Sequence, residues 1–235
     1  MINLQTIAID GPAASGKSTL GEKIAEKLRF LFLDTGIMYR AVTLEAIQKL
    51  SNTGLGNEEM VTKIAEESII EIKPSSINDG RKSDVYINGV EITKKLHLPD
   101  VDENVSNIST FSGVRKALSA QQRAIGLKGK VVMVGRDIGT VVIPEADIKI
   151  FLEASAEERA KRRYIELQAK NINISFDSVI ASINKRDQID ESRDLAPLVK
   201  AKDAFVIITD NINIDQVIDI AMKYIEEKRS YRYTY

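Results

Sequence analysis

One segment constrains the fold of this chain more than any other: Gly11-Pro12-Ala13-Ala14-Ser15-Gly16-Lys17-Ser18. It matches the phosphate-binding pattern G-x-x-x-x-G-K-[ST], which lies between a strand and a helix. A short β-branched run from Thr6 to Ile9 precedes the segment, and Leu20, Ile24 and Leu28 follow it at helical spacing. A glycine-rich turn could match the pattern by chance, but here the strand and the helix that the motif requires are both predicted. The sequence therefore predicts a nucleoside triphosphate site.

The residue types of this loop suit a triphosphate. Backbone N–H groups at a helix N-terminus converge on one point, where the helix dipole adds positive potential. Lys17 can reach the β- and γ-phosphates, where it would act in catalysis, and the Ser18 hydroxyl can ligate Mg²⁺. The predicted ATP-binding residues are Gly11, Pro12, Ala13, Ala14, Ser15, Gly16, Lys17, Ser18 and Thr19.

Short apolar runs alternate with helical patterns along most of the chain, which predicts an α/β fold. Each run is too short for a helix and is followed by polar or glycine-rich chain, as buried parallel strands are. The five predicted strands of this parallel sheet are 6–9, 31–33, 131–134, 148–152 and 205–208, with helices near 37–50 and 214–228. The predicted fold class is α/β, a parallel sheet flanked by helices that carries the phosphate-binding loop.

The alternation breaks between residues 69 and 92. Asn88-Gly89 lies between two alternating segments, the strongest short signal for a β-hairpin. The turn sets Ile87 opposite Val90 and Val85 opposite Ile92. With 69–72 as a third strand, this segment predicts a small antiparallel sheet, either a substrate-side subdomain or a plain structural insertion. We expect a core of 1–50 and 107–235 and an insertion of 51–106.

Composition excludes several classes of protein. With 235 residues, the chain can bury one substantial core and perhaps a small appended domain. A net charge of −1 gives no overall attraction to nucleic acid or to an anionic membrane. There is no cysteine, which excludes disulfides and thiolate metal sites. The first residues lack a signal-peptide pattern, and no apolar run approaches the roughly 20 residues of a membrane helix. We expect a cytoplasmic monomer that binds neither nucleic acid nor membrane.

Two further segments follow predicted strands, where ligands bind in open α/β sheets. After the second strand, Arg40 can reach a second phosphate and Tyr39 can pack on a sugar or base, although Asp34 or Thr35 could simply cap a helix. After the third strand comes the pair Arg136-Asp137. This pair indicates a functional site, and the alternative is an internal ion pair that braces a loop.

Clustered arginines mark two predicted helices. Arg159, Arg162 and Arg163 share one face after a capping box, so they form either a lid that neutralises a transferring phosphoryl group or a solvated face. In the next helix an apolar stripe continues as Arg186, Asp190 and Arg193. These three charges in line with a buried face indicate a ligand site, and the alternative is an internally paired surface network.

Together these residues resemble the bacterial cytidylate kinases, of the nucleoside monophosphate kinase family, over essentially the whole chain. The resemblance is carried by the loop from Ile9 to Thr19, by 33–36 with Met38-Tyr39-Arg40, by 114–118 with Gln122-Arg123, by 135–142 and by 186–198. The run Gly-Arg-Asp-x-Gly-Thr-Val-Val and the inserted three-stranded sheet are the most specific of these features.

The resemblance implies transfer of the γ-phosphoryl group of ATP to CMP or dCMP, with Mg²⁺, giving ADP and the diphosphate. It implies a P-loop kinase fold in which the insertion 51–106 binds the nucleoside monophosphate and a helical lid near 154–172 holds Arg159, Arg162 and Arg163. It also implies a base pocket of Ser106, Arg115 and Asp137 and a ribose contact at Asp190. The phosphate-binding arginines that it implies are Arg40, Arg136, Arg186 and Arg193, with Thr35 and Tyr39 as further substrate contacts. Arg136, Arg159, Arg162 and Arg186 join Lys17 as the expected catalytic residues.

Two rivals remain at this point. Another small-molecule P-loop kinase could act on UMP, AMP or a non-nucleotide acceptor. A nucleotide-dependent switch would need an element such as D-x-x-G, and no Asp in the sequence has Gly three residues later.

Overall fold

The computed structural model describes residues 4–77, 81 and 83–230, without the side chains of 51–53. The described chain forms two compact units, Met1–Phe32 with Gly129–Tyr235, and Leu33–Lys128. The strands are β1 Thr6–Asp10, β2 Leu31–Asp34, β3 Ile70–Pro74, β4 Ser83–Ile87, β5 Val90–Glu91, β6 Val131–Gly135, β7 Ile148–Glu153 and β8 Phe205–Ile208.

The helices are α1 Lys17–Leu28, α2 Thr35–Gly54, α3 Glu58–Glu67, α4 Pro99–Ile108, α5 Ser112–Gly126, α6 Ala156–Ala169, α7 Phe176–Ser192 and α8 Ile214–Ser230. A single turn of π-helix spans Ile138–Val142, directly after β6. None of the described helices is both long and apolar enough to cross a membrane.

A five-stranded sheet has the order β2-β6-β1-β7-β8, and β1 is its central strand. Ile9 of β1 pairs in parallel with Val134 of β6 and with Ile150 of β7. A central parallel strand is covered on both faces, so its residues are nearly all apolar. Ile7 and Ile9 accordingly pack with Leu20 and Ile24 of α1 and with residues of α8 in one buried cluster. The predicted parallel sheet with flanking helices is confirmed.

The first residues of α2 were predicted two positions too late. The Asp34 carboxylate accepts a hydrogen bond of 3.0 Å from the Gly36 N–H, so Asp34 is the N-cap and the helix begins at Thr35. The helix then continues to Gly54, beyond the predicted end near residue 50.

The predicted three-stranded antiparallel sheet is confirmed, with the order β3-β4-β5. Asn88 and Gly89 both have positive φ, 51° and 82°, as a two-residue hairpin turn of this kind requires. Ile87 pairs with Val90, and the Ile92 N–H donates to the Val85 carbonyl at 2.9 Å. Val90 is 61% exposed, because it belongs to the short edge strand of this sheet. The boundaries of core, insertion and lid stay predictions.

Candidate active site

The loop between β1 and α1 has the backbone shape of an anion-binding site. Gly11, Ala14 and Gly16 have positive φ values of 149°, 58° and 93°. A Cβ at Gly11 would collide with the backbone carbonyl of Leu152, so only glycine fits there. Gly16 is the left-handed residue immediately before α1. This geometry lets successive backbone N–H groups face one concavity at the start of a helix.

Lys17 lies in the first turn of α1 and is only 6% exposed. Its ammonium donates to the Pro12 carbonyl at 2.5 Å and to the Ser15 hydroxyl at 3.3 Å. The charge is therefore held over the loop. Ser18 follows as the second residue of α1, and its hydroxyl is the kind of hard oxygen that Mg²⁺ accepts as a ligand.

Asp10, the last residue of β1, is a buried carboxylate that the sequence analysis did not single out. Its two oxygens accept hydrogen bonds from the Ile138 N–H at 2.9 Å and the Gly139 N–H at 2.7 Å. Burial raises the pKa of Asp10 to about 6, against the two N–H donors, while the charge of Asp137 raises it further and Lys17 lowers it. The phosphate loop and the segment after β6 are thus joined by this side chain.

Asp137 occupies the N-cap position of the turn Ile138–Val142 and is 5% exposed. Its backbone carbonyl accepts hydrogen bonds from the Val141 and Val142 N–H groups at 2.8 and 3.2 Å. Its side chain makes no capping hydrogen bond to this turn.

A buried ionic network joins the loop after β6 to the end of α7. The Arg136 Nε donates to Asp190 at 2.7 Å, and Arg193 lies 3.3 Å from the other oxygen of the same carboxylate. Burial acts to raise the pKa of Asp190, but Arg136, then Arg193 and Arg186, hold it below its ordinary value. The structure therefore brings these three predicted phosphate-binding arginines around one carboxylate, which is only 4% exposed rather than on the surface.

The three arginines predicted on one face of α6 have different partners. Arg159 is buried and forms a bidentate pair with Asp187 of α7, at 2.9 and 2.6 Å, and it also donates to the Ala13 carbonyl of the phosphate loop. Arg162 donates to the hydroxyl and the carbonyl of Thr209, at 3.0 and 2.5 Å. Arg163 pairs with Glu166 on the exposed side of α6, so this structure does not bring the three guanidinium groups together.

In the second unit, α2, α4 and α5 carry the remaining predicted residues. Arg40 of α2 donates to the Leu96 carbonyl at 3.0 Å and to Asp102 at 2.5 Å. Arg115 is 2% exposed and lies 5.5 Å from the centroid of the Tyr39 ring.

A short chain of hydrogen bonds connects Arg115 to Ser106. The Arg115 guanidinium donates to the Ser109 carbonyl at 3.2 Å, and the Ser109 hydroxyl donates to the Ser106 carbonyl at 2.8 Å. Thr35 is buried at the start of α2, one turn before Tyr39. Within this unit, the predicted base-binding residues Ser106 and Arg115 are thus structurally linked.

The model of one protein family, described as cytidylate kinase, matches residues 7–227. The chain belongs to the cytidylate kinase family. Curated relatives named cytidylate kinase, from Carboxydothermus hydrogenoformans and Bacillus subtilis, are 44% and 42% identical to it. The alignments cover 94% and 95% of this chain and 97% of each relative. A third relative of that name, from Desulforamulus reducens, is 40% identical over 97% of the chain and 99% of its own length. The resemblance predicted from the sequence is confirmed.

Proposed function

We propose that this protein transfers the γ-phosphoryl group of ATP to CMP or dCMP, giving ADP and CDP or dCDP. The observation that carries the proposal is the family match over residues 7–227, which spans the phosphate loop, the turn after β6 and α7. The reaction requires no covalent intermediate, because phosphoryl transfer depends on alignment and on neutralisation of charge.

On the donor side, the residues from Gly11 to Thr19 bind the triphosphate. The Lys17 ammonium neutralises charge between the β- and γ-phosphates, and Arg136 and Arg186 neutralise charge on the transferring group. The Ser18 hydroxyl fits Mg²⁺, and that ion, when bound with ATP, supplies further charge neutralisation on the phosphate oxygens.

On the acceptor side, Asp137 accepts a hydrogen bond from the exocyclic N4 of cytosine, and Arg115 and Ser106 donate to O2 and N3. Uracil has a carbonyl oxygen at position 4, which would face the Asp137 carboxylate repulsively, so this residue selects against UMP. Asp190 contacts the ribose, with Arg40 and Arg193 as phosphate ligands and Thr35 and Tyr39 as further substrate contacts.

The helix α6 serves as part of a lid. Its residues Arg159, Arg162 and Arg163 move toward the phosphates when both substrates are bound. Closure excludes water, which would otherwise hydrolyse ATP in an open site. Because the phosphate of CMP is already an anion at neutral pH, no general base is needed.

A panel of acceptors at fixed Mg-ATP tests the proposal. ADP production is measured with CMP, dCMP, UMP, AMP and no acceptor, for the wild type and for Lys17→Met as a control for contaminating kinases. We expect the highest kcat/KM with CMP or dCMP and almost no ADP without an acceptor. Preference for AMP or UMP would make the chain a different small-molecule kinase, and slow acceptor-independent hydrolysis would favour a nucleotide switch.

A further inference from the structure

The turn Ile138–Val142 begins with N–H groups that its own backbone cannot satisfy. The carbonyl of Asp137 accepts from Val141 and Val142, which leaves the N–H groups of Ile138 and Gly139 at the start of the turn. In most helical turns the N-cap side chain accepts from such groups, and Asp is among the preferred residues for that task.

Here the capping is done by a different aspartate. Asp137 holds the N-cap position, yet it is Asp10, from the central strand β1, that accepts from both N–H groups, at 2.9 and 2.7 Å. The two bonds fix consecutive peptide groups against a rigid strand, since β1 is paired on both sides. The residue immediately before these two peptides is Asp137 itself.

We propose that Asp10 is a positioning residue for base recognition, which holds the turn Ile138–Val142 so that the Asp137 carboxylate is directed to the cytosine amino group. This inference rests on the proposed function, in which Asp137 reads the base. In this proposal Asp10 does not contact the substrate. It acts through its hydrogen bonds to the backbone N–H groups that directly follow Asp137.

The arrangement needs a carboxylate at position 10. A carboxylate is an acceptor at both oxygens, whereas an amide offers one acceptor oxygen and one donor NH₂ group. Asn at this position would place a donor against one of the two N–H groups, and the turn would shift away from β1. A displacement of about 1 Å in a binding group can cost about a hundredfold in rate.

The variant Asp10→Asn therefore separates positioning from simple stabilisation. We expect its kcat/KM for CMP to fall by about ten- to a hundredfold, with a smaller fall for UMP, so that the CMP-to-UMP ratio narrows by about tenfold. The control is Asp147→Asn, which removes an exposed carboxylate that contacts the other end of β1. One oxygen of Asp147 accepts from both the Gln5 and the Thr6 N–H groups, at 2.9 and 3.0 Å, so an amide oxygen can keep both bonds there, whereas Asp10 uses its two oxygens separately.

The control should keep the wild-type CMP-to-UMP ratio, whatever its thermal stability. If Asp10→Asn lowers turnover of CMP and UMP by the same factor, or leaves both unchanged, Asp10 only braces the fold and the inference is wrong. A wild-type protein that does not prefer CMP over UMP would instead contradict the proposed function. If the wild type prefers CMP and Asp10→Asn prefers it to the same degree, only the positioning role of Asp10 is contradicted.

A second variant keeps the test decisive if Asp10→Asn does not fold. Asp10→Glu keeps a carboxylate with two acceptor oxygens but lengthens the side chain by one methylene, so the turn must move relative to β1 if both bonds to Ile138 and Gly139 are kept. We expect the same narrowing of the CMP-to-UMP ratio in Asp10→Glu. An unchanged ratio in this folded variant would overturn the inference.

Discussion

At the scale of single residues, the Lys17 side chain is preorganised for phosphate binding. Its ammonium is held by Pro12 and Ser15, and its stem is buried in the first turn of α1. A donor with a fixed position needs no reorganisation as charge develops in the transition state, which is why such groups contribute strongly to rate.

The variant Lys17→Met should remain folded and lose at least about a hundredfold in kcat, the scale for removal of one preorganised donor. The measurement is steady-state ADP formation with saturating CMP and Mg-ATP. Lys23→Met is the matched control on the same helix, since Lys23 is exposed and forms an ion pair with Glu26. Near-normal turnover in Lys17→Met would show that the loop binds phosphate for another purpose.

Asp137 and Arg115 carry the second prediction, on specificity. If Asp137 accepts from the cytosine N4, as proposed, Asp137→Ala removes that acceptor at a cost of roughly 1–3 kcal/mol. The same change removes the repulsion of the uracil O4. We expect kcat/KM for CMP to fall by about ten- to a hundredfold while the CMP-to-UMP ratio narrows.

The companion variant Arg115→Met should raise KM for CMP and leave KM for ATP nearly unchanged. Lys116→Met, one residue further along α5 and exposed, serves as its control. The measurement is kcat/KM for CMP, dCMP and UMP in all variants. An equal loss for CMP and UMP in Asp137→Ala would mean that Asp137 braces its loop rather than reads the base.

The buried charge of Asp10 makes stability depend on pH. Burial raises its pKa to about 6, with Asp137 raising it and Lys17 and the N–H groups of Ile138 and Gly139 opposing the rise. On the neighbouring strand β7, the Lys149 ammonium is bound to Asp203. Because the folded protein holds this proton more tightly than the unfolded chain, whose Asp titrates near 3.8, stability is lost as the pH rises toward 6.

We therefore expect the free energy of unfolding of the wild type, relative to Asp10→Asn, to fall by about 2–3 kcal/mol between about pH 4 and pH 6 and to be level above that. Urea unfolding of both proteins across this range gives the difference. A difference that is constant with pH would show that Asp10 has an ordinary pKa.

At the scale of elements, α6 is attached to its surroundings by two arginines. Arg159 binds Asp187 of α7 and the Ala13 carbonyl, and Arg162 binds Thr209, the residue after β8. The N–H of Ser155, the N-cap of α6, also donates to the Asp210 carboxylate. The amino end of α6 is thus held by these contacts in the present structure, and movement of the predicted lid must exchange the partners of both Arg159 and Arg162.

The variant Arg162→Ala should depress kcat more than it weakens CMP binding, the pattern for an interaction made mainly in the transition state. Lys161→Ala is the control, because Lys161 lies on the same helix and forms an exposed ion pair with Glu157. Hydrogen exchange in residues 155–170 should also slow when both nucleotides are bound. Exchange that is the same with and without nucleotides would make these arginines structural.

Elements with a strong local signal were predictable from the sequence. The apolar runs of β1, β6 and β7 are short and bounded by turns, and Asn88-Gly89 specifies its hairpin through the positive φ of both residues. The alternative of Asp34 as a helix cap is confirmed, while the predicted start of α2 near residue 37 is two residues late, because Asp34 ends β2 and no loop separates the two elements.

Partners far apart in the sequence could not be predicted. Asp10 lies directly before the phosphate loop, but its hydrogen-bond donors are 128 and 129 residues away. Asp187 likewise faces Arg159 only because α6 packs on α7. The candidate residues themselves were found through motifs, whereas the contacts that hold them depend on how distant elements pack.

At the scale of the whole molecule, the predicted nucleotide-binding residues divide between the two compact units. The loop from Gly11 to Thr19 belongs to the unit with the parallel sheet, and Arg40, Ser106 and Arg115 belong to the unit Leu33–Lys128. Each group is held by contacts inside its own unit, as the bonds of Lys17 and of Arg115 show. Each nucleotide should therefore slow hydrogen exchange in a different set of peptides.

Hydrogen exchange of the whole chain tests this division. A non-hydrolysable ATP analogue with Mg²⁺ should slow exchange in peptides that cover residues 11–19, and CMP alone should slow exchange in those that cover 35–40 and 106–115, because ordered contacts reduce local opening. UMP at the same concentration is the control and should protect the second set less. If CMP alone protected only residues 11–19, the assignment of Arg40, Ser106 and Arg115 to the acceptor would be wrong.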